Sequence, residues 1–120
     1  GTLTGDLYIA KVAPSLGLNK AAAGQQAALF GYTNNSTRWC LALGDSVAEG
    51  GSNAGSNFYI ARYTDANAQI DKPITINRAT GVVDFSVNPT VVGVALPKAP
   101  TISTSAPSGG VDGDVWYQVP

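Results

Sequence analysis

Histidine is absent from this 120-residue chain. With it go the commonest general base, the imidazole metal ligand and the side chain that titrates near neutral pH. The single cysteine, Cys40, cannot close an intramolecular disulfide, and a lone thiol cannot build a Cys-rich zinc site, so neither a metal centre nor a cofactor is expected. Charge is also scarce: 12% of residues are charged, about half the usual share, with 7 Lys+Arg against 8 Asp+Glu and a net charge of -1. That leaves no basic patch for nucleic acid and no acidic tail. No apolar run reaches the length of a membrane helix and no basic segment precedes one, so neither membrane insertion nor a signal peptide is expected. Methionine is missing and the chain starts at Gly1, which reads as a fragment or processed product whose start lies upstream.

What is present favours extended structure. Gly, Ser, Thr and Asn make up about a third of the chain and seven prolines are added to them, so helix breakers are spread throughout. The one helix-favouring stretch, Asn19 to Ala28, carries almost no apolar residue larger than Ala and is expected to form at most a turn or two. Elsewhere apolar residues alternate with period two, or sit in short runs bounded by Gly, Asn, Asp and Pro. The expectation is an all-β chain of short antiparallel strands and hairpins.

Leu3, Leu7 and Ile9, then Leu16 and Leu18 after Pro14, predict a first pair of strands. Ala28 to Thr33 and Thr37 to Leu43 flank Asn34-Asn35-Ser36, which accepts the left-handed backbone of a tight turn and predicts a hairpin. In its second arm Trp39, Leu41 and Leu43 point one way, and Arg38, Cys40 and Ala42 the other. Gly44 to Asn57 is small, polar and aperiodic, and predicts a long loop. Phe58 to Tyr63 carries large residues on both faces, as a strand contacted on both sides would. Asp65-Ala66-Asn67 predicts a turn, and Ile70 to Ile76 and Val82 to Phe85 predict strands joined by a turn with Gly81. Val91 to Leu96 reads as one strand. Beyond it Pro97, Pro100 and Pro107 mark an extended arm, and Val115 to Val119 closes the chain as an aromatic strand whose open edges invite pairing with another subunit. The expected division is a β-rich domain over 1–93, a Pro/Ser/Gly-rich linker over 94–110 and a terminal strand over 111–120.

Few residues point to chemistry. Leu41 to Gly50 contains Gly44-Asp45-Ser46 after an apolar strand and resembles the first block of the SGNH/GDSL hydrolases, where that serine is the nucleophile. A serine hydroxyl needs a base, and in that family a histidine supplies it. This chain has none, so the stretch is read as a Gly-Asp turn ending a strand, and no enzymatic activity is expected. Asp84, Asp112 and Asp114 lack the loop spacing of a calcium site and are read as solvated turns. Gly50 to Gly55 lacks the strand and helix context of a phosphate-binding loop. Asn34 and Asn35 each open an N-glycosylation acceptor sequence, relevant only in a eukaryotic secretory protein. The remaining candidates are Trp39, Trp116 and Tyr117. Trp39 is expected in the core and Trp116 at a strand contact; the alternative makes all three contacts to a neighbouring subunit or a glycan.

Three stretches, Arg38 to Asp45, Gly51 to Tyr63 and Pro73 to Phe85, together resemble a module of bacteriophage and prophage tail fibre proteins. Leu16 to Gly31 is similar to the run that precedes that module, and Gly113 to Val119 to the closing stretch of such fibres. The resemblance implies a virion structural protein on the particle exterior, a parallel homotrimer with intertwined strands, whose partners are copies of itself, other virion proteins and a host surface glycan. A capsid decoration or head-fibre protein, with the arm from Val94 reaching a neighbour, is the variant within the virion. A carbohydrate-binding β-module is the alternative outside it. Low charge, turn-rich sequence and two-faced strands suit a chain that completes its core with neighbours.

Overall fold

The structure, a computed structural model, describes residues 1–97, 101–103 and 116–118, the last two segments as backbone apart from the Tyr117 side chain. It is all-β, with no helix among the described residues. Two compact units divide at Asp84 and Phe85. The first holds, up to the last residue of β5, a sheet in the simple order β1-β2-β3-β4-β5: β1 (Ala27–Thr33), β2 (Ser36–Gly44), β3 (Phe58–Tyr63), β4 (Gln69–Ile76) and β5 (Val83–Phe85). The described pairings from β1 to β4 are antiparallel, as the spacing of turn signals predicts.

Local sequence explains the turns. Asn34 and Asn35 both have positive φ, 48° and 61°, and Thr33 pairs with Ser36 around them. This is the two-residue turn whose twist matches a hairpin, and asparagine tolerates it better than most residues. Between β3 and β4, Asn67 takes φ 65° and the Thr64 amide donates to the Ala68 carbonyl at 2.8 Å. After β4, the Asn77 side-chain oxygen accepts from the amides of Ala79 and Thr80 at 2.9 and 3.1 Å, and Gly81 supplies φ 72° to turn the chain into β5.

The two faces of this sheet differ. Cys40 pairs with Ala61 and Ala42 with Tyr59, and these four form the buried cluster, with Ala28 and Tyr63 packed against it. On the other face Leu41 pairs with Leu29 and Ile60, Ile74 with Ile60, and Ile76 with Phe58. Trp39, expected in the core, stands on this second face and is 52% exposed. Alternation places Trp39, Leu41 and Leu43 together correctly but does not say which face is covered. Small Cys and Ala side chains sink between their tyrosine neighbours, whereas Trp and Leu stand proud of a single sheet. Full burial of a Leu or Ile is worth about 1.5–3 kcal/mol, and the buried hydrophobics among the described residues are only Cys40, Ala42, Tyr59 and Ala61.

Three expectations need correction. The strand pair over Leu3 to Leu18 does not form: residues 1–26 hold no strand, and Leu3, Leu7, Leu16 and Leu18 are exposed. Alternation was there, but a strand also needs a partner ladder for its backbone groups, and the segment finds none among the described residues. Val91 to Leu96 is not one strand but a small hairpin, β6 (Thr90–Val91) with β7 (Val94–Ala95). Val92 and Gly93 form its tip, both at positive φ, 50° and 78°. The terminal strand, expected to lack a partner in its own chain, pairs in parallel as β9 (Trp116–Gln118) with β8 (Thr101–Ser103). The remainder of the proline-rich arm lies outside the described residues.

Candidate functional site

The long polar loop from Asp45 to Asn57 is held as a closed unit. At its neck the Asp45 amide donates to the Asn57 carbonyl at 2.9 Å. The buried Asp45 carboxylate accepts from the amides of Val47 and Asn57 at 3.1 and 3.0 Å and from the Asn57 side-chain amide at 3.1 Å. Asn57 in turn accepts from the Arg78 amide at 3.0 Å, which ties the loop to the β4–β5 turn. The Arg78 guanidinium donates to the carbonyls of Gly55 and Ala54 at 2.8 and 2.9 Å. From the other side Lys20 lies 3.4 Å from Glu49 and donates to Ser56, which itself donates to Glu49. These contacts, the Ser56 hydroxyl first and Lys20 next, hold the Glu49 carboxyl below its usual range. Gly55 makes the fold of this loop possible: its φ is 74°, and a Cβ there would lie 2.4 Å from the Ala48 carbonyl oxygen.

This arrangement gives Asp45 of the Gly44-Asp45-Ser46 stretch a structural part at the loop neck. Asp45 spends its carboxylate on loop amides, and Ser46 is exposed, with no hydrogen bond from its hydroxyl to a basic group among the described residues. Gly44-Asp45-Ser46 is a strand end with an aspartate-capped loop.

A cleft of about 240 Å³ opens where the loop neck meets β3, β4 and β5. Asp45 and Asn57 line it from the neck, Phe58, Tyr59, Lys72, Thr75 and Ile76 from the sheet, and Asn77 and Asp84 from the β4–β5 turn and β5. The Lys72 ammonium sits 4.1 Å from the centre of the Tyr59 ring. Burial, with a smaller contribution from Cys40, pushes the Tyr59 hydroxyl up to about 12. Cys40 is 1% exposed, its sulfur 4.0 Å from the Tyr59 hydroxyl and 3.3 Å from the Gln26 side-chain nitrogen. Burial also raises Tyr63, with Cys40 second among the causes. The cleft is therefore a small recess of mixed lining, in which one cation, Lys72, and two carboxylates, Asp45 and Asp84, stand beside the apolar Phe58 and Ile76. No group of three or more His, Cys, Asp or Glu able to hold a metal ion occurs among the described residues. Asp84 lines the cleft, while Asp112 and Asp114 lie outside the described residues.

The aromatic candidates belong to different units, Trp39 to the first and Trp116 and Tyr117 to the second. Trp39 stands on the open sheet face opposite Arg62, whose guanidinium makes two bonds to Asp71 across the strands at 2.7 and 2.8 Å. That pairing lowers the Asp71 carboxyl and raises Arg62. Tyr117 is exposed on β9; Trp116 belongs to the same strand, and its side chain lies outside the described residues. Sequence reasoning missed Lys72, Asn57 and Asn77 in the cleft and Lys20 and Arg78 at the loop. Asparagines at the ends of strands, able to bond back to the turn, were the available signal for two of them.

No family model matches the chain, and a search of curated proteins returns no match. No helix among the described residues is long and apolar enough to cross a membrane.

Proposed function

We propose that this chain is a non-enzymatic structural protein of a bacteriophage virion, a segment of a trimeric tail fibre or spike on the particle exterior that supports host attachment. The observation that carries the reading is the poverty of the single-chain core. Among the described residues its buried hydrophobics are two alanines, a cysteine and a tyrosine, while Leu3, Leu7, Leu29, Trp39, Leu43 and Phe85 are exposed. A chain with this balance gains its missing stability from neighbours of its own kind. The resemblance of Arg38 to Phe85 to tail fibre modules supports the same reading and supplies the virion context. A capsid decoration or head-fibre protein differs only in position, and copy number in purified particles separates the two.

Light scattering of the full chain over a range of concentrations tests the reading. A stable mass near three times 12.2 kDa is expected, and a monomer at every concentration overturns it. A second reading, a carbohydrate-binding β-module, is favoured by one observation: the half-exposed Trp39 indole beside the Arg62–Asp71 pair resembles a stacking surface flanked by hydrogen-bonding groups. Titration of glycans against the parent chain and Trp39→Ala decides it. Binding that disappears with the indole while mass is unchanged would favour the module.

A further inference from the structure

Residues 1–19 are exposed throughout, and Lys20 is the first residue from the N-terminus that the described contacts tie to the sheet unit. Its side chain is only 15% exposed, although a lysine is normally left to water unless it is paired. The ammonium reaches into the loop from Asp45 to Asn57. There it donates to the Ser56 hydroxyl and, at 3.4 Å, to the Asp45 carbonyl, and it lies 3.4 Å from the Glu49 carboxylate. Ser56 donates onward to Glu49. The loop is strained where it makes this seat: Ser52, Asn53 and Ser56 hold positive φ, 50°, 62° and 51°. Such backbone persists where surrounding contacts over-determine it, and here those contacts converge on Ser56.

A serine between an ammonium and a carboxylate has the outline of a nucleophile with its base. An ammonium ion-paired with Glu49, however, has no lone pair with which to take the hydroxyl proton. The three groups form a closed ionic contact instead, and their surroundings decide what opens it. The charged groups facing Glu49 among the described residues are Lys20 at 3.4 Å and, from the β4–β5 turn, Arg78 at 3.9 Å. Arg78 is held in addition by the carbonyls of Gly55 and Ala54, so it stays when Glu49 loses its charge, whereas Lys20 keeps only two neutral oxygens. The Asp45 carboxylate is turned to the amides of Val47 and Asn57 and to the Asn57 side chain. Beyond Lys20, residues 21–25 are exposed and their described hydrogen bonds are local, from the Ala21 amide to the Gln25 side chain at 3.1 Å and from the Gln25 amide to the Ala22 carbonyl at 3.3 Å. The next hold on the sheet is Gln26, directly before β1, whose side-chain nitrogen lies 3.3 Å from the Cys40 sulfur.

We propose that Lys20 is an ionic latch: seated on Ser56 and Glu49 it fixes the root of residues 1–19 at the loop, and loss of the Glu49 charge or strong salt releases it and moves the root to Gln26. Six further residues then join the free segment and add about 20 Å to its reach. The Glu49 carboxyl is held below its usual range, by the Ser56 hydroxyl first and Lys20 next. The latch is therefore closed at neutral pH and opens as pH falls through that lowered value. Salt acts by screening, since the Debye length shrinks to about 3 Å at about 1 M. One copy of the chain is enough for all of this, so the latch stands apart from the oligomeric reading.

Trypsin reads the latch directly, because the protease and the loop compete for the same side chain. In the full chain at mildly alkaline pH, the bond after the exposed Lys11 is the reference for the free segment, and the bond after Arg38 in β2 is the reference for the sheet. Cleavage after Lys20 is expected to be about tenfold slower than after Lys11. Glu49→Gln, which keeps the shape of the protonated carboxyl, and Ser56→Ala should each raise the rate after Lys20 by about threefold or more, with the rates after Lys11 and Arg38 unchanged. Salt at about 1 M should do the same to the parent chain when the cut after Lys11 is the yardstick. Equal rates after Lys11 and Lys20 in the parent overturn the proposal. So do unchanged Lys20 rates in both variants, and so does a Lys20 rate that rises only together with the Arg38 rate, because the root then opens only with the sheet.

Discussion

Residues 1–19 and residues 45–57 both lack strands, yet they are organised by opposite means. The first stretch is rich in Leu, Ile and Val and makes no backbone hydrogen bond among the described residues. The second is almost wholly polar or small, and is closed by Asp45, Asn57, Ser56, Glu49, Arg78 and Lys20. In one copy of this chain local order follows the satisfaction of polar groups, not hydropathy. Apolar residues order a segment only where they pack against a surface, and Leu3, Leu7, Leu16 and Leu18 remain exposed.

The contrast can be broken at the pinned loop. Gly55→Ala is expected to have the largest effect, because it forces an alanine into left-handed backbone and drives its Cβ against the Ala48 carbonyl. A loss of roughly 3–4 kcal/mol is expected, read as a fall of more than about 10 °C in the thermal midpoint. Asp45→Ala comes next, since it leaves the amides of Val47 and Asn57 without their acceptor, at a cost of roughly 2–3 kcal/mol in denaturant unfolding.

Acid and alkali sharpen the same comparison. Glu49 and Asp71 have lowered carboxyl pKa values in the fold, so each contributes stability that is present above its unfolded value and lost as pH falls through its folded one. Stability should therefore fall on acidification below about pH 4.5. Glu49→Gln with Asp71→Asn should flatten that limb in a pH series of melting curves. Tyr59 is raised to about 12, so the fold favours its neutral form. Its contribution is complete below about pH 10, and it declines as pH rises from there towards 12. In Tyr59→Phe the alkaline decline should be shallower. The smallest effect is expected at the bare end: removal of residues 1–18, which keeps Lys20, should change the unfolding free energy by no more than about 0.5 kcal/mol. A larger shift would mean that the apolar segment already packs on its own chain.

Sequence patterns revealed much of the sheet for a physical reason. β1, β3 and β4 each run into a turn built for its residues: Asn34-Asn35, Asn67, and Asn77 with Gly81. Those signals are local, so one chain suffices to read them. The exposure of Trp39 was not legible, because which face of a sheet is covered depends on what lies above it. Leu3 to Leu18 misled for a related reason, since its alternation is real but its ladder partner is absent from the described chain. The split of Val91 to Leu96 into a hairpin was hidden because Val92, a β-branched residue, occupies a turn position normally left to Gly or Asn. The cleft was missed because Asp45 and Asn57 are distant in sequence from Lys72 and Asn77 and meet them only through the β2–β3 and β3–β4 registers.

The burial of Cys40 turns the only thiol in the chain into a clock. It lies between β1 and β3, against Tyr59 and within reach of Gln26, so a reagent can reach it only when the middle of the sheet parts. The rate at which that sulfur is modified in native buffer counts those openings one by one. No label need be introduced, and no second cysteine can blur the count.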